Sequence, residues 1–399
     1  MLIPKKQKLM LLLALITSSS ITKTGILSET AQAIEESYQQ AHDILNKRYT
    51  QLTKTLRPQP NQWDWNTIDL KKQTFPAPFF WVTQAPLKSA PCDTITKKKQ
   101  AGATMYTVNI EWSLVEPTEN KFDQNALDTY AAICKELTDN NITPLITLFD
   151  TAAPSWFAEK KGFLSYKNIS LFVRFAQKVF AHLGSYPAYW LPLMQPNKYA
   201  AELHTNDFAN MVNTLEHMLI AHRDTYKALK KMPHGNKRHI GISKNMDTIE
   251  PWNKFNPSHI RKAHKLNQAV HDSFYNFINT GIMDIHFFEI TKEDFTHSTS
   301  HSFDFIGITY NTPHYIDGNY VDQRDSADIS TYSEGLYQAI KTVTQKINKK
   351  APIIVLNSTC VDKNGNADIA IGNKTLFVLD KARTEGCKVI GYPLLSVRP

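Results

Sequence analysis

The sequence predicts an α/β protein built as a closed (β/α)8 TIM barrel, on three observations. Eight short apolar segments alternate with longer helical patterns between residues 75 and 399. No glycine-rich phosphate loop follows any of those segments, so a dinucleotide-binding sheet lacks its main support. No low-complexity stretch or linker interrupts the series, and the length suits one barrel domain.

The elements follow in order. Residues 34–56 carry Ile34, Tyr38, Ala41, Leu45 and Tyr49 at helical spacing, and residues 57–75 read as an irregular, Pro- and Trp-containing lead-in. Predicted strands are Phe79–Thr83, Tyr106–Trp112, Thr143–Phe149, Tyr189–Met194, His239–Ser243, Phe305–Tyr310, Ile353–Leu356 and Val389–Tyr392. Predicted helices are Asp93–Gln100, Asp123–Asn140, Asn168–Leu183, Asp207–Leu229, His259–Asn279, Tyr332–Ile347 and Asn373–Arg383. In such a barrel the chemistry lies at the C-terminal ends of the strands. That rule selects Glu111, Asp150, Gln195, Asp247, Tyr310 and Asn357.

Bulk properties narrow the function classes. The formal net charge of +8 includes +3 from residues 1–33, and the remaining charges are scattered. No basic face interleaved with aromatics is present, which argues against a nucleic-acid partner. Lys5, Lys6 and Lys8 precede the apolar run from Leu9 to Ile16, the pattern of a signal peptide or N-terminal anchor over residues 1–33. The run is too short to span a bilayer comfortably. The chain is therefore expected to be exported, with cleavage after Ala31-Gln32-Ala33 or near Ser18–Ser20. No integral membrane domain is expected beyond that segment. Residues 34–74 form an N-terminal extension and residues 75–399 the barrel. Cys92, Cys134, Cys360 and Cys387 allow three full pairings and match no zinc spacing; Cys134 falls in an apolar helical stripe and reads as a buried thiol. No metal motif and no cofactor motif is visible.

Several segments carry a resemblance. Tyr106-Thr-Val-Asn-Ile-Glu-Trp-Ser-Leu-Val-Glu-Pro117 is similar to Y-R-F-S-I-S-W-S-R-I-E-P. Thr147-Leu-Phe-Asp-Thr-Ala-Ala-Pro-Ser-Trp156, followed by Glu159 to Leu164, is similar to T-L-x-H-x-x-L-P-x-W and E-K-G-G-F-L. Tyr189 to Asn197 is similar to Y-W-I-T-F-N-E-P-N, Asp304 to Tyr310 to D-F-I-G-I-N-Y, Pro352 to Asn357 to P-I-Y-I-T-E, and Gly391-Tyr392 to the last strand's G-Y. In this order and spacing the segments resemble glycoside hydrolase family 1, the β-glucosidase family.

The resemblance implies a retaining glycosidase, which needs two carboxyl groups about 5 Å apart, one as acid/base and one as nucleophile. The family's acid/base position reads Gln195 and its nucleophile position reads Asn357. Neither amide titrates near neutral pH or attacks an anomeric carbon. The family's Arg beside the nucleophile aligns with Thr107, its sugar-contacting His with Asp150, the Asn before the acid/base with Met194, and the Asn of G-I-N-Y with Thr309. The Gln of its first sugar-binding segment has no counterpart near Leu87–Pro91, and the sequence given stops at Pro399, ahead of the family's W-S-L-L-D-N-F-E-W. Tyr310 falls at a nucleophile-helper position, and Asn197 and Trp156 are retained; Trp112 and Trp156 read more readily as barrel packing than as sugar platforms.

Two function classes follow from this pattern, beside a purely structural or partner-binding role whose interface lies in residues 34–74. One is an exported non-catalytic relative that binds a carbohydrate, a glycoside or a protein, with Gln195 and Asn357 as a neutral hydrogen-bonded pair at the barrel mouth. The other is an active β-glycosidase or transglycosidase whose carboxylates have moved to Asp150 or Glu111.

Overall fold

The computed structural model describes residues 63–70, 73–75, 77–83, 91–205, 207–247, 249–281, 283, 302–310, 314–317, 333–347, 350–358 and 369–394. The expected signal segment, the helix over 34–56 and the side chains of Cys92 and Cys360 lie outside the described residues. Everything described belongs to the unit Pro58–Pro399.

Eight parallel strands close a barrel: β1 (Phe80–Thr83), β2 (Met105–Asn109), β3 (Thr143–Phe149), β4 (Tyr189–Leu193), β5 (His239–Asn245), β7 (Phe305–Tyr310), β9 (Ile353–Ser358) and β10 (Val389–Pro393). Around the ring the order is β1-β10-β9-β7-β5-β4-β3-β2. The helices are α1 (Pro91–Gln100), α2 (Trp112–Val115), α3 (Gln124–Asp139), α4 (Ser155–Glu159), α5 (Ile169–Leu183), α6 (Pro196–Leu203), α7 (Phe208–Lys231), α8 (Pro257–Asn267), α9 (Ser273–Thr280), α10 (Ser333–Lys346) and α11 (Ile369–Thr384). This is the predicted (β/α)8 class. Asp123 and Asp207 start α3 and α7 by accepting the Ala126 and Asn210 amides, and Asn256 does the same for α8.

Several details differ from the sequence expectation, the short helices α4 and α6 among them. The second strand ends at Asn109, and Trp112 opens α2 instead. The single helix expected over 259–279 is α8 and α9 joined through a π-helical turn, Gln268–Asp272. Two further strands, β6 (Ile249–Pro251) and β8 (His314–Ile316), pair in a small parallel sheet beyond β5 and β7. In the lead-in, Trp63 and Trp65 dock on α10, where Glu334 accepts the Trp63 amide and the Trp65 indole N–H. Patterns three residues long, and packing between distant segments, leave no periodic trace in a sequence.

Strand side chains alternate faces, so the barrel has two cores. Val82, Met105, Leu145, Leu191, Met194, Phe305, Ile354 and Leu356 form one cluster without any residue from a helix, which marks the barrel interior. The larger cluster joins Tyr106, Val108, Ile306, Ile308, Tyr310 and Tyr392 to helix residues and fills the layer outside the sheet. Within that layer Trp112 is fully buried and stacks on Phe175 at 4.7 Å, with Trp156, Phe157 and Phe172 edge-on or tilted to it. The period-2 rule places Gly241 and Gly307 on the interior side of β5 and β7.

Gly241 is fixed by that interior. A Cβ there would lie 2.4 Å from the Phe305 ring. Gly241→Ala is therefore expected to destabilise the barrel by about 1–3 kcal/mol through overpacking, measured by chemical denaturation. An unchanged midpoint would show that the Phe305 ring yields freely.

Candidate functional site at the barrel mouth

The interior positions change character toward the C-terminal ends of the strands. Following the alternation from Met105, Leu145 and Phe305, the inward residues above the apolar layer are Thr107, Thr147 and Thr309, with Ser243 on β5 beside Gly307. All four are buried. At the rim, register places Asn245 beside Thr309 and Thr309 beside Asn357. The register between β7 and β9 shifts after Ile308, so Leu356 and Asn357 both turn toward the interior side. A bulge of this kind re-aims a side chain at the edge of a site. Asn357 is exposed there. β4 and β9 stand three places apart around the ring, so Gln195 and Asn357 reach the mouth from non-adjacent strands.

Gln195 lies two residues past β4 at the start of α6 and adopts φ 47° and ψ 52°, a left-handed conformation unusual for a residue with a side chain. Its N–H donates to Ser243 Oγ at 2.6 Å. Its carbonyl accepts the Lys198 and Tyr199 amides, each at 3.0 Å, at the start of α6. The side-chain Oε1 is buried and has no hydrogen-bond partner among the described residues; the same is true of Thr147 Oγ1 and Thr309 Oγ1.

Each residue singled out in the sequence now has a place. Glu111 precedes α2 at the end of β2, with its carboxylate exposed and its N–H donated to Tyr130 Oη at 3.0 Å. Asp150 follows β3. Its side chain reaches solvent, but the surrounding walls displace part of its hydration. That desolvation raises its pKa above the ordinary 3.8, against the opposing pull of Lys198. Asp247 is buried beyond β5; its Oδ2 accepts Asn245 Nδ2 at 3.0 Å and faces His314 Nε2 at 3.5 Å.

Three residues are built into the framework. Asn197 is fully buried, donating to the Asn245 carbonyl and accepting the Asn245 N–H, both at 2.9 Å. Trp156 packs edge-on to Trp112, and its indole N–H is committed to the Glu116 carbonyl at 3.0 Å. Tyr310, expected as a helper at the nucleophile position, is fully buried in the outer cluster with Ile306 and Ile308. Period-2 alternation from inward-facing Phe305 puts residue 309 inside and residue 310 outside.

Sequence reasoning passed over Ser243, Asn245 and Lys244. The signal for Ser243 was available in the alternation of β5, once Gly241 is taken as inward. Lys244 faces outward and is fully buried. Its Nζ donates to His271 Nδ1 at 2.8 Å and approaches the Val270 carbonyl at 3.2 Å, above the Phe274 and Tyr275 rings. Burial pulls its pKa well below the ordinary 10.5, with Asp272 opposing. His271 passes the contact on to the Asp247 carbonyl through Nε2 at 3.1 Å, which fixes the Nε2–H tautomer. Burial, then Lys244, hold His271 well below 6.5. No alternating pattern announces a lysine under a π-turn. Among the described residues no group of three or more metal-ligating side chains comes together, and no helix is long and apolar enough to cross a membrane. Cys134 and Cys387 are both buried free thiols.

A closed parallel barrel with its polar groups gathered at the C-terminal mouth defines the architecture of barrel enzymes that act on ligands held at that end. The chain belongs to Glycosyl hydrolase family 1, whose family model matches residues 93–351. That match ends ahead of β9, so Asn357 lies beyond it. The chain is 24% identical over 295 residues to a 1,4-beta-D-glucan glucohydrolase of Thermotoga neapolitana, spanning 66% of this chain and 68% of that protein. It is 32% identical over 105 residues to the cytosolic beta-glucosidase of Cavia porcellus, but spans only 22% of that protein's length. A beta-glycosidase from Pyrococcus horikoshii superposes with a TM-score of 0.66 at 23% identity, covering 80% of this chain and 85% of that one. A beta-glucosidase from Thermotoga maritima in complex with castanospermine superposes with a TM-score of 0.65 at 19% identity, covering 80% and 88%. At these identities the superpositions establish the fold.

Proposed function

We propose that this chain is a family 1 protein that binds an uncharged carbohydrate or glycoside at its barrel mouth and does not hydrolyse it. The observation that carries the reading is the pair of amides, Gln195 and Asn357, at the strand ends where the family resemblance calls for carboxylates. The covalent route needs a carboxylate nucleophile, and an amide on the other position removes general acid catalysis worth roughly 10²–10⁴-fold. The inward positions around them are hydroxyls and amides as well: Thr107, Thr147, Ser243, Asn245 and Thr309. Ser243 and Asn245 are spent on Gln195 and Asp247, and the threonine hydroxyls offer hydrogen bonds without charge, which suits a polyhydroxylated ligand. The basic and apolar start of the sequence supports export; the extracellular or periplasmic fraction of expressing cells is where the chain is expected.

The purified chain is expected to show no turnover of an aryl β-glycoside, while a neutral glycoside raises its melting temperature. Turnover that disappears in Asn357→Ala would overturn this reading. One observation favours a second reading, an active glycosidase with a relocated acid. Desolvation raises the Asp150 pKa above its ordinary value, and Glu111 follows the adjacent strand β2. In that case turnover would be found and Asp150→Asn would abolish it.

A further inference from the structure

The left-handed residue just past β4 calls for an explanation. A non-glycine residue in this region costs roughly 1–3 kcal/mol and persists only where its surroundings over-determine it. Here they do so three times. Ser243 Oγ accepts the Gln195 N–H at 2.6 Å, and its own hydroxyl points to the Leu193 carbonyl at 3.4 Å. The Gln195 carbonyl is taken up by the first turn of α6. Two residues on, Asn197 grips both backbone groups of Asn245, so α6 is fastened to the end of β5. The outcome is a glutamine held with its Oε1 buried and unpartnered among the described residues, and Thr147 Oγ1 and Thr309 Oγ1 are in the same condition on β3 and β7. Buried polar atoms are satisfied in nearly all proteins. The unsatisfied Gln195 Oε1 after β4, with unsatisfied hydroxyls on β3 and β7, marks a rim where an outside group supplies hydrogen bonds.

The chemistry of that group follows from the atoms waiting for it. A buried amide oxygen needs a donor, and a threonine hydroxyl can use a donor or an acceptor. An aliphatic hydroxyl is donor and acceptor at once and meets every case. A cation supplies only donors and a carboxylate only acceptors, and neither finds a counter-charge among these three side chains.

We infer that Ser243, together with the Asn197–Asn245 clasp, is a positioning residue that holds Gln195 as a hydrogen-bonding contact for a hydroxyl of an uncharged ligand. This rests on the proposed binding function. The effect passes from Ser243 through the Gln195 backbone to its side chain, so Ser243 acts on the ligand only through Gln195.

The test is isothermal titration of the full chain with methyl β-D-glucopyranoside, for the native protein, Gln195→Ala, Ser243→Ala, the double variant and Ser243→Thr. Melting curves of each protein establish that it is folded. Native protein is expected to bind. Gln195→Ala and Ser243→Ala are each expected to weaken binding about tenfold, the loss of one hydrogen bond to a buried polar group. The double variant is expected to lose no more than either single variant, because the two residues act as one unit. Ser243→Thr keeps the Oγ and is expected to retain binding. A folded Ser243→Ala protein that binds like the native one, or losses that simply add, would overturn the positioning role and leave the binding function standing. A native protein that does not bind the glycoside overturns the binding function itself, and the positioning role falls with it.

Discussion

Replacing Arg174 with Leu is expected to destabilise the barrel by about 3 kcal/mol. Glu116 is fully buried, and its carboxylate gathers the Trp112 indole N–H at 2.9 Å, the Asn120 amide at 2.8 Å and the Arg174 guanidinium. The Glu116 carbonyl in turn holds Trp156. One residue thus ties α2 to the loop after it, to α4 and to α5. Removing the arginine leaves a carboxylate in the core with two neutral donors and no counter-charge. The cost falls at the lower end of the range for buried pairs because Arg174 is 31% exposed and water can enter where it stood. Glu116→Gln in the same background removes the stranded charge and is expected to recover part of the loss. Chemical denaturation of the single and double variants measures both effects; equal stability of the two would show that the charge is already hydrated.

The second large effect has the opposite sign. Lys244→Met is expected to stabilise the protein by about 1–2 kcal/mol near neutral pH. A buried amine gives up its hydration, and replacing a buried charge with an apolar side chain of similar volume is often favourable. The lost contact to His271 offsets part of the gain. The pH dependence identifies the cause. The folded pKa of Lys244 lies below the unfolded value of 10.5. Between those two values the unfolded chain holds a proton that the folded chain has released, so stability rises with pH through that window. The advantage of Lys244→Met should therefore be greatest below the window and shrink as pH approaches 10.5. An advantage independent of pH would assign it to packing and not to the amine.

The two variants sit in the same outer layer of the fold and were unequally visible beforehand. Trp112 and Trp156 belong to segments whose order and spacing resembled a known family, and packing was the expected role for both. Their convergence on Glu116 depends on α4 and α5 folding back onto α2. Lys244 was passed over because a lysine in a strand reads as a solvent-facing residue; only the π-helical turn above it encloses the amine. Tyr310 shows the reverse case. Its motif was legible, but the side of the sheet it occupies depends on the register of β7.

What the sequence alone determined is the architecture and the absence of carboxylates at positions 195 and 357. Alternating apolar strands and helical stripes call for parallel strands covered on both faces, and eight units without a glycine-rich phosphate loop favour the closed barrel over an open doubly wound sheet. The residue types at positions 195 and 357 can be read off directly. Which polar groups face one another was decided by tertiary structure. The bulge in β9 turns Asn357 to the interior side, the backbone at Gln195 is fixed by a hydroxyl from the neighbouring strand, and Asn197 is spent on Asn245. Those contacts join residues about 50 positions apart, at Gln195–Ser243 and Asn197–Asn245. Local propensity cannot specify them, because they exist only once β4 and β5 lie side by side in register.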